Sequence, residues 1–277
     1  MKGPGEVIDR GGWRLEVELP EALRARRDDL IDRVEATVER GLEVPLRRSR
    51  RAVTYNPRVL VANDLPGDIF IKVLEAPHGV SRIKYRRRGS LVTRVKAITA
   101  QLCAAGFVAP PIWLCGYNRR DGRELLVTPR VTGTGPLQTL AAVGGHLVQK
   151  REVLRALGRA IGRLHRAGFV HGDLTPFNLF VQLGAPVRFI FLDHEKTRRN
   201  FGLGRKRRNL RNLVQLGRFD LPGISRSDRL RVLHAYTDAI GARDQRPIVR
   251  RVAQMLAARL VRDGGAQMIA PLQPAKL

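Results

Sequence analysis

His171-Gly172-Asp173-Leu174-Thr175-Pro176-Phe177-Asn178 is the stretch on which the reading of this chain turns. An amphipathic run from Glu152 through Leu154, Leu157, Ile161 and Leu164 to Gly168 leads into it. Apolar Phe169-Val170 and Leu179-Phe180-Val181 flank it, so its polar residues are carried on buried supports, as a site requires. Asp173 and Asn178 stand five positions apart. Asp193 follows fifteen positions later, after a turn at Gly184 to Pro186 and the apolar Phe189-Ile190-Phe191-Leu192. A strand, a hairpin and a second strand bring the Asp193 carboxylate back beside Asn178.

Phosphoryl transfer needs few protein groups: a carboxylate to orient and deprotonate the attacking hydroxyl, oxygen ligands for Mg²⁺, and a cation on the nucleotide phosphates. Asp173 suits the first role and Asn178 and Asp193 the second. Lys72, alone in the apolar run Ile69-Phe70-Ile71-Lys72-Val73, suits the third. A solvent-side lysine on an edge strand is the plainer alternative, and apolar neighbours on both sides oppose it. Taken singly, His171 reads as a brace for the loop and Asn178 as a turn cap. The order Lys72, Leu164-His165, His171 to Asn178, then Asp193 is the specific signal.

With 277 residues, 43% hydrophobic and 27% charged, the chain has material for one large domain or two modest lobes. Cys103 and Cys115 match no disulfide framework, zinc site or redox pair, and both are expected as buried thiols of a reducing compartment. Residues 1–20 have no signal-peptide core, and the uncharged stretch Ala97 to Asn118 is broken by Gly106, Pro110, Pro111 and Gly116. These features point to a cytoplasmic protein. The net charge of +26 calls for an anionic partner: nucleic acid, acidic lipid headgroups or a phosphorylated substrate. No nucleic-acid-binding module is recognisable, so nucleic acid is not expected.

The pattern along the chain predicts an α+β, bilobal fold. An N-terminal extension over 1–45 holds a strand at Trp13 to Leu19 and a helix from Pro20 to Gly41. A mostly β N-lobe spans 46–131, with strands near Ala52 to Tyr55, Val59 to Val61 and Ile69 to Leu74, a helix from Ser90 to Ala105, and two further strands at Pro110 to Trp113 and Leu125 to Val127. A mostly α C-lobe spans 132–277. Its helix Arg246 to Arg262 is read as packing on that lobe, although its spacing is also compatible with lying on a membrane.

The loop, Phe191-Leu192-Asp193-His194-Glu195-Lys196-Thr197-Arg198, Arg208 to Leu216, and Ser225-Arg226-Ser227-Asp228-Arg229-Leu230-Arg231 with Tyr236 together resemble the Kdo/WaaP lipopolysaccharide core kinases, which have an atypical protein-kinase-like fold. The resemblance covers roughly residues 50 to 240. It implies an ATP- and Mg²⁺-dependent transfer of phosphate to a Kdo or heptose hydroxyl of the lipopolysaccharide core, at the cytoplasmic face of the inner membrane. Asp173 is then the base, Asn178 and Asp193 the Mg²⁺ ligands, and Lys72 the phosphate clamp. The implied partners are an anionic glycolipid and, peripherally, an anionic membrane. Two departures stand out: Ala76 to Arg120 contains no acid to pair with Lys72, and Leu46 to Pro66 contains no glycine. A basic turn near Arg47 to Arg51 would then cover the phosphates. A carboxylate from elsewhere is expected near Lys72, Asp193 first and Glu124 second. The alternatives are a pseudokinase scaffold, which retention of Asp173, Asn178 and Asp193 opposes, and a kinase of a small soluble molecule.

Overall fold

The computed structural model describes residues 5–49, 52–60, 66–75, 90–131, 133–135, 139, 146–221, 223–265 and 267–268. The chain divides into two compact units, Met1–Gln101 with Pro110–Val131, and Leu102–Ala109 with Thr132–Leu277.

The first unit is built on an antiparallel sheet. Its strands are β1 (Glu6–Arg10), β2 (Trp13–Val17), β3 (Arg47–Arg48), β4 (Ala52–Tyr55), β5 (Arg58–Leu60), β6 (Pro66–Leu74), β7 (Leu114–Asn118) and β8 (Glu124–Pro129). They run in the order β1-β2-β7-β8-β6-β4-β3, with β5 also pairing with β6. The expected strand of the extension, β2, and the additional β1 lie in this same sheet, β2 through the register Trp13↔Asn118 to Val17↔Leu114 with β7 and β1 by pairing with β2. Strand alternation sends Ile69, Ile71 and Val73 to one face, where they pack with Leu125, Val127 and helix α1 (Arg27–Val38) through Leu30, Ile31 and Val34. The opposite face carries Leu74, Leu126 and Cys115, covered by Val92 and Val95 of helix α2 (Leu91–Ala104).

Two expectations need correction. No strand forms at Pro110 to Trp113; β7 starts at Leu114, because Pro110 and Pro111 have no N–H for a ladder. Cys115 is buried as expected, but Cys103 is exposed on α2. Of the expected basic turn, Arg47 and Arg48 form the exposed β3, while Arg50 and Arg51 lie outside the described residues.

In the second unit, helix α3 (Leu147–Arg166) leads to β9 (Phe169–Val170), the hairpin β10 (Leu179–Gln182) and β11 (Arg188–Phe191), and β12 (Arg198–Arg199). Then come α4 (Arg205–Gly217), β13 (Phe219–Asp220), α5 (Arg226–Ala239), α6 (Arg246–Asp263) and β14 (Gln267–Met268). Helix α3 packs on α5 at very close range. A Cβ on Gly158 would lie 2.3 Å from the Val232 carbonyl oxygen, so only glycine fits. Ser225 and Asp228 start α5 with a capping box, and Asp228, 6% exposed, also meets Lys150 at 2.7 Å and Arg231 at 2.6 Å. Helix α6 buries Val252 and packs on α4, which agrees with the packed reading of this helix.

Candidate active site

The catalytic-loop candidates are assembled by three supports within the second unit. The first is the antiparallel pair β9–β12, which joins Val170, just before the loop, to Arg198, just after Thr197. The second is the hairpin. Leu179 faces Phe191, and the Leu192 N–H donates to the Asn178 carbonyl at 2.9 Å, so Asn178 and Asp193 come to its open end together, as the spacing implied. The third is α4, whose Asn212 and Gln215 hold Gly172 from both sides: Gly172 N–H donates to Asn212 Oδ1 at 3.1 Å, and Gln215 Nε2 donates to the Gly172 carbonyl at 3.1 Å.

Asp173 is half-buried. Asn178 Nδ2 donates to the Asp173 carbonyl at 2.9 Å, which closes the loop and holds the Asn178 side chain against the Asp173 backbone. The Asp173 carboxylate receives Lys196 Nζ at 2.8 Å, with the lysine 63% exposed. Sequence reasoning gave Lys196 no role; a lysine three positions beyond the candidate metal ligand Asp193 was the available signal. Asp193 is exposed and left-handed (φ 59, ψ 72), the one non-glycine residue with positive φ among those described. Such a conformation carries strain and is characteristic of functional loops.

Three buried histidines brace this arrangement. His171, fully buried, donates Nε2–H to the Leu192 carbonyl at 2.8 Å, tying the loop to the residue before Asp193. Burial lowers its pKa, so it stands as a neutral brace, the structural role read for it in isolation. His194 bonds Thr197 Oγ1 at 3.1 Å, Thr197 in turn donates to the His171 carbonyl at 3.2 Å, and burial pushes His194 down to about 3. His165 extends the network outward. Asn212 Nδ2 lies 3.3 Å from its Nε2, and its Nδ1 lies 3.1 Å from the Tyr236 hydroxyl. With Asn212 Oδ1 accepting from Gly172, the amide donates to Nε2 and the ring donates Nδ1–H to Tyr236. Burial, aided by Arg205, pushes His165 down to about 3, in keeping with this neutral tautomer.

Lys72 belongs to the first unit. It pairs in register with Leu126, and Glu124 pairs with Leu74, which puts Lys72 and Glu124 diagonally on the α2 face of the sheet. Glu124 is 3% exposed and accepts the Leu91 N–H at 3.0 Å, capping the start of α2. Of the two acids expected near Lys72, Glu124 thus shares its sheet and face. Among the described residues no cluster of three His, Cys, Asp or Glu side chains forms a metal cage. A carboxylate and an amide at one hairpin mouth do fit Mg²⁺, which is commonly held by one or two protein groups together with phosphates and waters.

A β-rich unit and a helical unit bearing a His-Gly-Asp loop with a downstream aspartate define a kinase-like α+β protein. The description "Lipopolysaccharide kinase (Kdo/WaaP) family" matches residues 83–236, more than half of the chain, and the chain belongs to that family. A solved structure of WaaP in complex with acyl carrier protein superposes with a TM-score of 0.58 at 22% identity, covering 90% of this chain and 97% of that one. The bifunctional O-antigen chain terminator methyltransferase/kinase WbdD of Escherichia coli is 30% identical over 118 residues, 42% of this chain and 16% of that protein. A probable bifunctional tRNA threonylcarbamoyladenosine biosynthesis protein of Methanothermobacter thermautotrophicus is 45% identical over 126 residues, 46% of this chain and 20% of that protein. The chain thus matches about a fifth or less of the length of these curated relatives.

Proposed function

We propose that this protein is an ATP-dependent kinase that transfers the γ-phosphate to a sugar hydroxyl, Kdo or heptose, of the lipopolysaccharide inner core. The observation that carries this reading is the loop itself: Asn178 closed on the Asp173 carbonyl, Lys196 on the Asp173 carboxylate, and Asp193 held left-handed at the hairpin mouth. Family membership supports ATP as donor.

In this reading Asp173 orients the acceptor hydroxyl and takes its proton as the new O–P bond forms, while the bond from the γ-phosphorus to the bridging oxygen breaks and ADP leaves. Lys196 holds the Asp173 carboxylate in place. Lys72 neutralises the nucleotide phosphates, with Glu124 on the same sheet face as its counter-charge. Asn178 and Asp193 would hold Mg²⁺, which supplies charge neutralisation at the transferring phosphate. A surplus of basic residues suits an anionic acceptor and peripheral contact with an anionic leaflet, where each well-placed Lys or Arg contributes ~1 kcal/mol. Among the described residues no helix is long and apolar enough to cross a membrane.

The test is incubation of purified protein with γ-labelled ATP and a panel of truncated core lipopolysaccharides. Label is expected on glycolipids that retain the acceptor sugar and absent from those that lack it. Label on none of the panel, with Mg²⁺·ATP bound normally, would favour the scaffold alternative.

A further inference from the structure

One cavity of the second unit, of about 820 Å³, opens between α4, α6 and β12. Among the described residues sixteen line it, of which eight are arginines and none is acidic. Arg207 and Arg211 come from α4, Arg251 and Arg259 from α6, and Arg198 from β12. The nearby Asp263 meets Arg259 and stands 3.9 Å from both Arg218 and Arg262. Several arginines of the first unit instead meet a carboxylate each: Arg27 holds Glu6, Arg33 holds Glu43, Arg119 holds Asp9 and Arg123 holds Glu39.

Bringing so many guanidiniums to one concavity opposes folding. Arg207 and Arg211 are one helical turn apart on the same face, a spacing at which like charges destabilise the helix. A scatter of solvated surface arginines would not converge on a hollow. The cavity also reaches the catalytic loop, since Gly172 lines it and α4 is the helix that grips Gly172 through Asn212 and Gln215.

We infer that this arginine-lined cavity is a subsite for phosphate groups already carried by the acceptor, separate from the nucleotide-binding residues. The inference rests on the kinase reading above for the word acceptor; the anion site itself stands on the cavity. Arg208 is already engaged by Asn200 and the Phe201 carbonyl, and Asp263 serves Arg259, Arg218 and Arg262. Arg198, Arg207, Arg211 and Arg251 still bring more N–H donors to the cavity than the oxygens of one phosphate accept, which matches a ligand with at least two phosphates. The volume leaves room for the sugar that joins them. Seated against Gly172, such a saccharide lies beside the residue that precedes Asp173 in the loop.

A second arginine groove of about 790 Å³, between α3 and α5, provides an internal control, because no loop residue lines it. The experiment is calorimetric titration with a disaccharide bearing two phosphates, with the same disaccharide without phosphates, and with inorganic pyrophosphate. Three proteins are compared: wild type, Arg207→Glu/Arg211→Glu, and Arg159→Glu/Arg163→Glu from the control groove. All four substituted positions are exposed. Wild type is expected to bind the bisphosphorylated sugar more tightly than pyrophosphate and to ignore the unphosphorylated one. The first double variant should lose about a hundredfold in affinity, roughly tenfold per reversed charge, and the second less than about threefold.

Equal weakening by both variants would reduce the effect to general charge and overturn the inference. Equal binding of the unphosphorylated sugar, or no binding of the bisphosphate by wild type, would overturn it as well. Pyrophosphate binding as tightly as the sugar would reassign the site to free phosphate. Mg²⁺·ATP binding measured on the same proteins separates the two readings: its absence in wild type removes the kinase reading and leaves the cavity result standing.

Discussion

Replacing Gly172 by alanine tests the loop architecture in isolation from any assumption about substrate. Gly172 has φ +75, and an added Cβ would sit 2.4 Å from the Lys196 carbonyl oxygen and 3.0 Å from the Lys196 side chain. The left-handed conformation alone costs a non-glycine residue roughly 1–2 kcal/mol. Pushing a methyl against backbone that cannot swing aside adds about 1–3 kcal/mol. Gly241 is the matched control, since it has φ +70 with nothing within 4 Å of the added atom, and Gly241→Ala should show the conformational cost alone. Urea denaturation should therefore find Gly172→Ala less stable than Gly241→Ala by about 1–3 kcal/mol. The displaced segment carries Lys196, and Asp173 is the next residue, so kcat should fall about a hundredfold in the first variant and little in the second. Equal stability of the two variants would refute the close approach of the loop to residue 196.

Three further outcomes follow from the geometry. Folded His165 and His194 titrate near 3, below an ordinary value of 6.5, so the unfolded chain takes up protons first; stability is full above pH 6.5 and falls as pH drops toward 3. At pH 5.5 each histidine costs about 1.4 kcal/mol, and a urea midpoint that stays flat from pH 7 to 5 would contradict their burial as neutral groups. Glu124→Leu, which removes the cap on α2 and a buried carboxylate, should cost about 1–2 kcal/mol by denaturation, whereas Glu124→Gln keeps an acceptor for Leu91 and should cost less than half of that; equal losses would mean that the charge, not the cap, is what matters. Lys196→Met should lower kcat at least about tenfold with stability changed by less than about 1 kcal/mol, because an ion pair this exposed contributes little to folding; unchanged turnover would remove Lys196 from the site.

Much of this was legible in the chain. The hairpin that returns Asp193 to Asn178 follows from two apolar runs about a turn, and the amphipathic spacing marked α3 well. The alternation of Ile69, Ile71 and Val73 against Lys72 and Leu74 announced a strand covered on both faces. Pairing across long separations was not legible. Nothing local to Trp13 says that β2 will lie against β7, and nothing local to Glu124 says that it will cap Leu91. The chain from Tyr236 through His165 and Asn212 to Gly172 joins residues from four elements, and each residue alone reads as an ordinary polar side chain. Lys196 was missed for the same reason: its partner is 23 positions away and meets it only through the β9–β12 pairing.

In the proposed function Asp173 acts on an acceptor hydroxyl rather than on the nucleotide. The most direct measurement is single-turnover transfer of labelled phosphate from ATP to a core glycolipid by wild type and Asp173→Asn, with Mg²⁺·ATP affinity taken by calorimetry on both. Transfer is expected to fall at least about a thousandfold, within the range of a lost general base, with nucleotide affinity within about threefold of wild type. Transfer within tenfold of wild type, or a nucleotide affinity lost together with transfer, would contradict it.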